Sequence, residues 1–237
     1  MEHLAEMRAR AVWCALVLGA GFGVGWYFQD TLFAILNRPL GGEYRVQTLA
    51  VTEPFFTTLT VAAHLALMVC LPAVLYHGYR FASPALQPAQ RRGVRGLLCA
   101  APFLFYAGVA FCYFLVLGPA VRFLLGMGEG SFDVAVRARE YYSFVASTLL
   151  ATGAVFLSPL VLLGLARVGL LTTAQLRANR RVALAGVAIV AALLPTADIV
   201  SLVVEIVALT ALFELSVLLV AFQERLARRR EAAEAPQ

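Results

Sequence analysis

Charged residues punctuate this chain and leave long apolar runs between them. Uncharged stretches extend from Arg10 to Asp30, Glu53 to Arg80, Arg95 to Arg122, Glu140 to Arg167 and Arg181 to Asp198. A last stretch, from Asp198 to Glu224, is broken only by Glu205 and Glu214. At a rise of ~1.5 Å per residue, runs of this length cross a hydrocarbon core of roughly 30 Å. The pattern predicts six membrane-spanning helices, near residues 10–28, 57–78, 97–117, 143–166, 182–196 and 200–222. The fifth is short, since about fifteen residues reach only ~22 Å. It must thin the bilayer locally or be shielded by its neighbours.

Two longer connections, 29–56 and 118–142, interleave Pro39, Gly41, Gly42, Pro54, Pro119, Gly126, Gly128 and Gly130 with Leu, Phe and Val. They are too apolar to float in water. The expectation is a set of short interfacial helices lying across the ends of the spans as a cap.

Composition agrees with lipid as the main solvent. The chain is 61% hydrophobic and only 14% charged, with a mean hydropathy of +0.81, where a soluble domain carries about 25% charged residues. All basic residues other than histidine are arginines, and their distribution orients the protein. Arg8 and Arg10; Arg80, Arg91, Arg92 and Arg95; Arg167, Arg177, Arg180 and Arg181; and Arg225, Arg228, Arg229 and Arg230 fall on one side, 14 in all. Arg38, Arg45, Arg122, Arg137 and Arg139, 5 in all, fall on the other. This asymmetry predicts that both termini are cytoplasmic, with the two capping connections outside. The basic pI near 9.3 therefore reports topology and not nucleic-acid binding.

The first span has no small-residue cleavage site after it and reads as a retained helix rather than a removable signal peptide. Cys14, Cys70, Cys99 and Cys112 all lie within apolar runs without paired spacing, so they read as packing residues. One membrane domain, 1–222, is expected, followed by a charged tail, 223–237, that frays.

The polar residues that interrupt this pattern are specific. The chain opens with His3-Leu4-Ala5-Glu6-Met7-Arg8-Ala9-Arg10, and Glu53-Pro54-Phe55-Phe56 precedes the second span. Pro72 to Leu86, with Tyr76, Tyr79, Phe81 and Pro84, leads to Arg91-Arg92. Phe105-Tyr106-Ala107-Gly108 with Tyr113, then Tyr141, Phe144, Gly153, Phe156 and Pro159, then Leu176-Arg177 and Arg180, and finally Asp198 sixteen residues before Glu214 in Phe213-Glu214, complete a series in fixed order.

This series resembles the TatC family of the twin-arginine protein translocase from residue 3 to about residue 222. The resemblance implies an all-α, glove-shaped bundle of six transmembrane helices, with short helices five and six and a periplasmic cap. It implies a receptor and core subunit, not an enzyme, in the bacterial or archaeal cytoplasmic membrane. Such a subunit exports folded proteins using the proton-motive force, without a cofactor or metal. The implied partners are single-span TatA and TatB subunits, twin-arginine signal peptides and further copies of the chain.

By the same resemblance, Glu6, Arg8, Arg10, Gln90, Arg91 and Arg92 form the signal-peptide site. Pro54, Phe55, Phe56, Tyr113, Asp198, Phe213 and Glu214 line the concave face or meet a partner helix. A carboxylate at Glu6 suits bidentate pairing with a guanidinium, although it also complements a helix N-terminus and sits four residues from Arg10. Family members usually place a second acid at the position of Gln90, and nothing between His77 and Gly96 replaces it. The expected site is thus one carboxylate plus an amide. Leu157 likewise stands where many members have Glu or Gln.

Glu214 is an ionisable group within an apolar helix, where a cavity or partner contact is the default expectation and a hydrogen bond to Thr210 the plainer one. Glu205 lies outside the family pattern. Nine residues amount to half a turn beyond whole turns, so it points away from Glu214 and shares a stripe with Asp198, Ser201 and Ser216. It is expected to pair near the outer end or to meet a partner helix. His64, one turn after Thr60, suits a backbone or hydroxyl hydrogen bond better than a proton relay. Pro72, Pro102 and Pro159 read as kinks.

Three other classes compete. A solute carrier usually shows inverted repeats, and none is evident. A membrane enzyme has little support, because His3, His64 and His77 are scattered and no H-E-x-x-H occurs. A divergent scaffold without twin-arginine recognition would fit Gln90 and Leu157.

Overall fold

Apolar periodicity and helix-breaking residues together divide the chain into helices that pack side by side. The computed structural model describes residues 2–41, 44–82, 88–127, 135–195 and 198–234, and within these all side chains except those of 2–7, 9, 81–82, 88–95 and 227–234. The elements in order are α1 (Glu2–Tyr27), α2 (Gln29–Leu36), a 3-10 turn (Arg38–Leu40), β1 (Val46–Gln47), α3 (Glu53–Ala82) and α4 (Pro88–Phe111). A π-helical turn (Cys112–Val116) leads from α4 into α5 (Leu117–Gly126). Then come β2 (Val136–Arg137), α6 (Ala138–Val155), α7 (Ser158–Val168), α8 (Thr173–Ala178), α9 (Arg180–Leu193) and α10 (Ile199–Glu234).

Among the described residues, five stretches are long and apolar enough to cross a membrane: Arg10–Tyr27, Glu53–Arg80, Gly96–Gly126, Ala138–Val168 and Ile199–Leu226. The remaining apolar helix, α9, has only 14 residues and reaches ~21 Å. It is the short fifth span expected from the sequence. The sixth is a correction. Its apolar part alone runs 28 residues, from Ile199 to Leu226, and the helix continues without a break to Glu234. No proline or glycine occurs after Asp198 until Pro236, and Ala, Leu, Glu and Arg favour helix, so α10 runs on into the charged segment as far as Glu234.

Small residues set the closest helix contacts. A Cβ at Gly21 would meet Cys70 Sγ at 2.5 Å, and one at Gly25 would meet the Ala62 backbone at 3.2 Å. These two glycines, four residues apart, let α1 lie directly on α3. The Cys70 thiol donates to the Val17 carbonyl across that contact, at 3.2 Å. A second close crossing joins α4 to α6, where Gly108 faces Phe156 and Gly153 faces Phe105 and Val109. Pro159 coincides with the break between α6 and α7, whereas Pro72 and Pro102 sit inside continuous helices.

The main core gathers Phe105, Cys112, Val116, Leu117 and Val145 beneath Leu36, Leu40 and Val136 of the connections at one end of the bundle. Those connections form a cap, though helices make only part of it. Between α2 and α3 lie the 3-10 turn and β1, and Val46–Gln47 pairs in parallel with Val136–Arg137. Three tyrosines hold α2 by its C-terminal end. Tyr113 donates to the Ile35 carbonyl at 2.8 Å, Tyr141 to the Leu36 carbonyl at 2.7 Å and Tyr142 to Asn37 Oδ1 at 2.9 Å. The last carbonyls of a helix lack intrahelical partners, so phenols placed there satisfy them without water. At the opposite, arginine-rich end, Arg167 Nε donates to Gln223 Oε1 at 3.0 Å and the Thr173 amide donates to Glu224 Oε1 at 2.8 Å.

Candidate functional site

The N-terminal motif lies on α1, which begins at Glu2 on the arginine-rich face. Arg8 is exposed and Arg10 is half-buried. Gln90, Arg91 and Arg92 fall in the first turns of α4, on the same face. The side chains of Glu6, Gln90, Arg91 and Arg92 lie outside the described residues. What the backbone provides is two helix starts, one carrying Glu6 and the other Gln90.

The residues expected on the concave face or at a partner helix differ in burial and in neighbours. Asp198 is buried and caps α10, its Oδ2 accepting the Ser201 amide at 2.7 Å. Phe213 is also buried, within the core of the arginine-rich end. Pro54, Phe55 and Phe56 are exposed near the cap, with Phe55 edge-on to Trp26 at 5.9 Å. Tyr113 spends its hydroxyl on α2. Sixteen residues of helix, about 24 Å, separate Asp198 from Glu214.

Glu214 pairs with Arg180 of α9, Oε1 to Nη2, at 2.6 Å, and not with Thr210. The pairing follows from the shortness of α9. Running antiparallel from the turn after Leu193, a 14-residue helix ends level with the middle of α10 and brings Arg180 down to Glu214. Because both side chains remain partly exposed, 59% and 39%, the pair is worth little beyond its geometry. A double-mutant cycle of Arg180→Gln and Glu214→Gln is expected to give a coupling of about 0.5–1 kcal/mol in thermal unfolding. Additive losses would mean that the pair does not hold α9.

Glu205 and Glu214 face opposite ways, as a nine-residue separation requires: Glu205 is only 1% exposed. Glu205 is buried within the chain. It is engaged inside the chain, near Cys112 of the π-helical turn. One turn along its face, Ser201 Oγ donates to the Val116 carbonyl at 3.2 Å. A π turn shifts the i to i−4 ladder and frees a carbonyl, and a serine hydroxyl is what satisfies it here. His64 Nδ1 lies 2.8 Å from the Thr60 carbonyl oxygen, so its proton goes to the backbone.

Glu53, which opens the motif before the second span but carries no role in the sequence pattern, forms a buried site of its own. Glu53 is 3% exposed and accepts four hydrogen bonds. Oε2 takes the amides of Leu49 at 2.9 Å and Ala50 at 3.3 Å. Oε1 takes Arg137 Nε at 3.1 Å and the Arg139 amide at 3.2 Å. Arg137 also pairs with Glu140 at 3.1 Å. One carboxylate thus ties the connection before α3 to the connection before α6. The sequence carried a faint sign of it, an acid directly before Pro54 at a helix start and two arginines in the other connection.

Among the described residues no group of three His, Cys, Asp or Glu could hold a metal ion.

Residues 2–221 match the family profile described as Sec-independent protein translocase protein (TatC). The chain belongs to the TatC family. It is 33% identical over 221 residues to the TatC protein of Desulforapulum autotrophicum, covering 92% of this chain and 82% of that one. It is 31% identical over 236 residues to TatC of Escherichia coli K12, covering 98% and 91%. A crystal structure of the twin-arginine translocase receptor TatC in detergent superposes with a TM-score of 0.77 at 31% identity, covering 92% of this chain and 99% of that one. The TatC chain is accordingly a multi-pass membrane component of a protein translocase, and it is not an enzyme.

Proposed function

We propose that this TatC protein is the receptor and core subunit of a twin-arginine translocase. It binds the twin-arginine signal peptide of folded cargo and works with single-span TatA- and TatB-type subunits under the proton-motive force. The observation that carries the reading is the match over nearly the whole chain to a solved twin-arginine translocase receptor. The excess of arginine on one face supports an orientation with both termini in the cytoplasm of a bacterial or archaeal cell, because positive charge collects there.

Glu6 is the anionic half of the signal-peptide site. A carboxylate held at a helix start takes a guanidinium in two parallel hydrogen bonds. Gln90 supplies an amide acceptor from the start of α4. Arg8 and Arg10 follow Glu6 along α1, and Arg91 and Arg92 follow Gln90 along α4, as in the motifs of the sequence. Glu214, with Arg180, and the exposed Phe55 and Phe56 remain the positions where partner helices are expected to touch the bundle.

Complementation tests this reading. In a strain lacking its own TatC, the wild-type chain is expected to restore export of a folded reporter bearing a twin-arginine signal peptide. Gln90→Glu is expected to export at least as well, since a second carboxylate adds Coulomb attraction to the arginine pair. Partner subunits recovered with the protein but no export of the reporter would favour a scaffold without twin-arginine recognition.

A further inference from the structure

A small polar pocket lies on the arginine-rich face, between α8 and α10. Thr173 and Arg177 are four residues apart and share one face of α8, while Ala221, Glu224 and Arg225 share one face of α10. The two faces meet around a cavity of about 170 Å³ lined by these five residues. The Thr173 amide donates to Glu224 Oε1 at 2.8 Å and so joins the helices at its wall. Such a volume is well below the roughly 300 Å³ at which drug-sized ligands begin to fit. It suits a small polyatomic ion and not a chain segment.

The lining carries hydrogen-bond donors that the chain itself does not use. Arg177 and Arg225 are exposed, and neither guanidinium forms an ion pair or hydrogen bond among the described residues. Thr173 is 8% exposed, and its hydroxyl is buried without a hydrogen-bond partner among those residues. An unpaired buried hydroxyl is costly, and two guanidiniums facing one cavity repel each other. An oxyanion between the helices relieves both.

Charge and depth narrow the choice of anion. Glu224 is the one acid among the five lining residues, so two guanidinium charges less one carboxylate leave a net +1. A singly charged phosphodiester balances that charge, whereas a dianion meets the carboxylate with charge to spare. The apolar stretch of α10 ends at Leu226, which places Ala221 to Arg225 in its last turns, where hydrocarbon gives way to headgroups. Phe222 and Leu226, on the same turns, are exposed and apolar. Lipid lies beside the pocket.

We propose that this pocket holds one singly charged phosphate group, that of a phospholipid headgroup, with Arg177 and Arg225 as its guanidinium ligands and the Thr173 hydroxyl as a third donor. Arginine forks match phosphate oxygens two at a time. The net positive charge favours phosphatidylglycerol over phosphatidylcholine, whose own cation would crowd the arginines. A phosphate seated there ties α8 to the end of α10. None of its ligands belongs to α1 or α4, so the site stands independently of the signal-peptide reading at Glu6 and Gln90.

The test is equilibrium binding of radiolabelled dioctanoylphosphatidylglycerol to the purified chain in a neutral detergent. Wild-type protein is expected to bind it saturably. Arg177→Gln and Arg225→Gln, at exposed positions that leave the fold intact, are each expected to weaken binding about fivefold, the scale of one basic residue near an anionic lipid. Thr173→Val is expected to weaken it about tenfold, and it leaves the cap of α8 in place because that cap is Thr172. Arg181→Gln, outside the pocket, is expected to change nothing. Dioctanoylglycerol, which has no phosphate, is expected not to compete. Inorganic phosphate that competes as well as the lipid would support the same site with a free anion as its source, and phosphate that competes poorly would support the headgroup. Binding unchanged in Arg177→Gln/Arg225→Gln, weakened equally by Arg181→Gln, or displaced equally by dioctanoylglycerol would overturn the proposal.

Discussion

Replacing Gly108 with leucine is expected to leave almost no folded protein in the membrane. At this crossing a single added Cβ would lie 2.6 Å and 2.7 Å from Cγ and Cβ of Phe156 and 3.1 Å from the Gly153 Cα. Of these, the Phe156 Cβ and the Gly153 Cα are fixed by the backbone, and no rotamer change can move them away. Phe156 is itself confined, buried against Ala191 and Leu209 and with its ring 5.2 Å from that of Phe111. The helices α4 and α6 would have to separate, which opens the contact of Phe105 with Gly153 and loosens the core around Val145. Overpacking of this kind costs on the order of 3 kcal/mol or more, a large fraction of the stability of a typical domain. Membrane fractions should show strongly reduced accumulation, and the purified remainder should unfold at a lower temperature. Gly186→Leu, at a glycine with open space around it, should be nearly silent in the same assays. Equal effects at the two glycines would show that helix propensity, rather than close approach, governs these positions.

Glu53→Ala is expected to detach the two halves of the cap from each other. The carboxylate is the common acceptor for three backbone amides and one guanidinium, and alanine leaves all four donors to find other partners. Donors enclosed by the cap lose a charge-assisted hydrogen bond and gain no equivalent one. The expected result is an apparent melting temperature lowered by roughly 5 °C and faster proteolysis in the connections at 44–52 and 135–139, while the spans stay protected. Glu53→Gln should fall between the two, because an amide oxygen retains part of the acceptor set but an amide nitrogen faces the remaining donors. An unchanged proteolysis pattern in Glu53→Ala would mean that the β1–β2 pairing and the tyrosines on α2 hold the cap without it.

The bundle was legible because apolar runs and charge boundaries are local signals. A run of uncharged residues from Glu140 to Arg167 needs no knowledge of the rest of the chain to be read as a span, and the break at Pro159 is equally local. The shortness of α9 followed from the spacing of Arg181 and Asp198. The length of α10 does not follow in the same way, because the arginines after Leu226 mark the end of the apolar part and not of the helix.

Long-range pairings were the harder part. Arg180 meets Glu214, Glu53 meets Arg137 84 residues away, and Tyr141 meets the Leu36 carbonyl 105 residues away. No periodicity connects such positions. Asp198 and Glu205 were placed on the right helix face relative to Ser201, yet which neighbour that face meets was set by the π-helical turn at Cys112–Val116, which no composition signal announced. The glycines were visible as Gly21 and Gly25 at a spacing of four, and a small-residue contact between α1 and a neighbour could have been inferred from them.

The account rests centrally on Glu6 as the carboxylate that receives the arginine pair of a signal peptide. Site-specific photo-crosslinking from position 9, one turn along α1 from residue 6, measures this directly in membranes that contain the partner subunits. A signal peptide with Arg-Arg is expected to crosslink to the wild-type chain. The crosslink should fall to background for the same peptide with Lys-Lys, which lacks the bidentate fork, and for Glu6→Ala with either peptide. Undiminished crosslinking of the Arg-Arg peptide to Glu6→Ala would contradict the account.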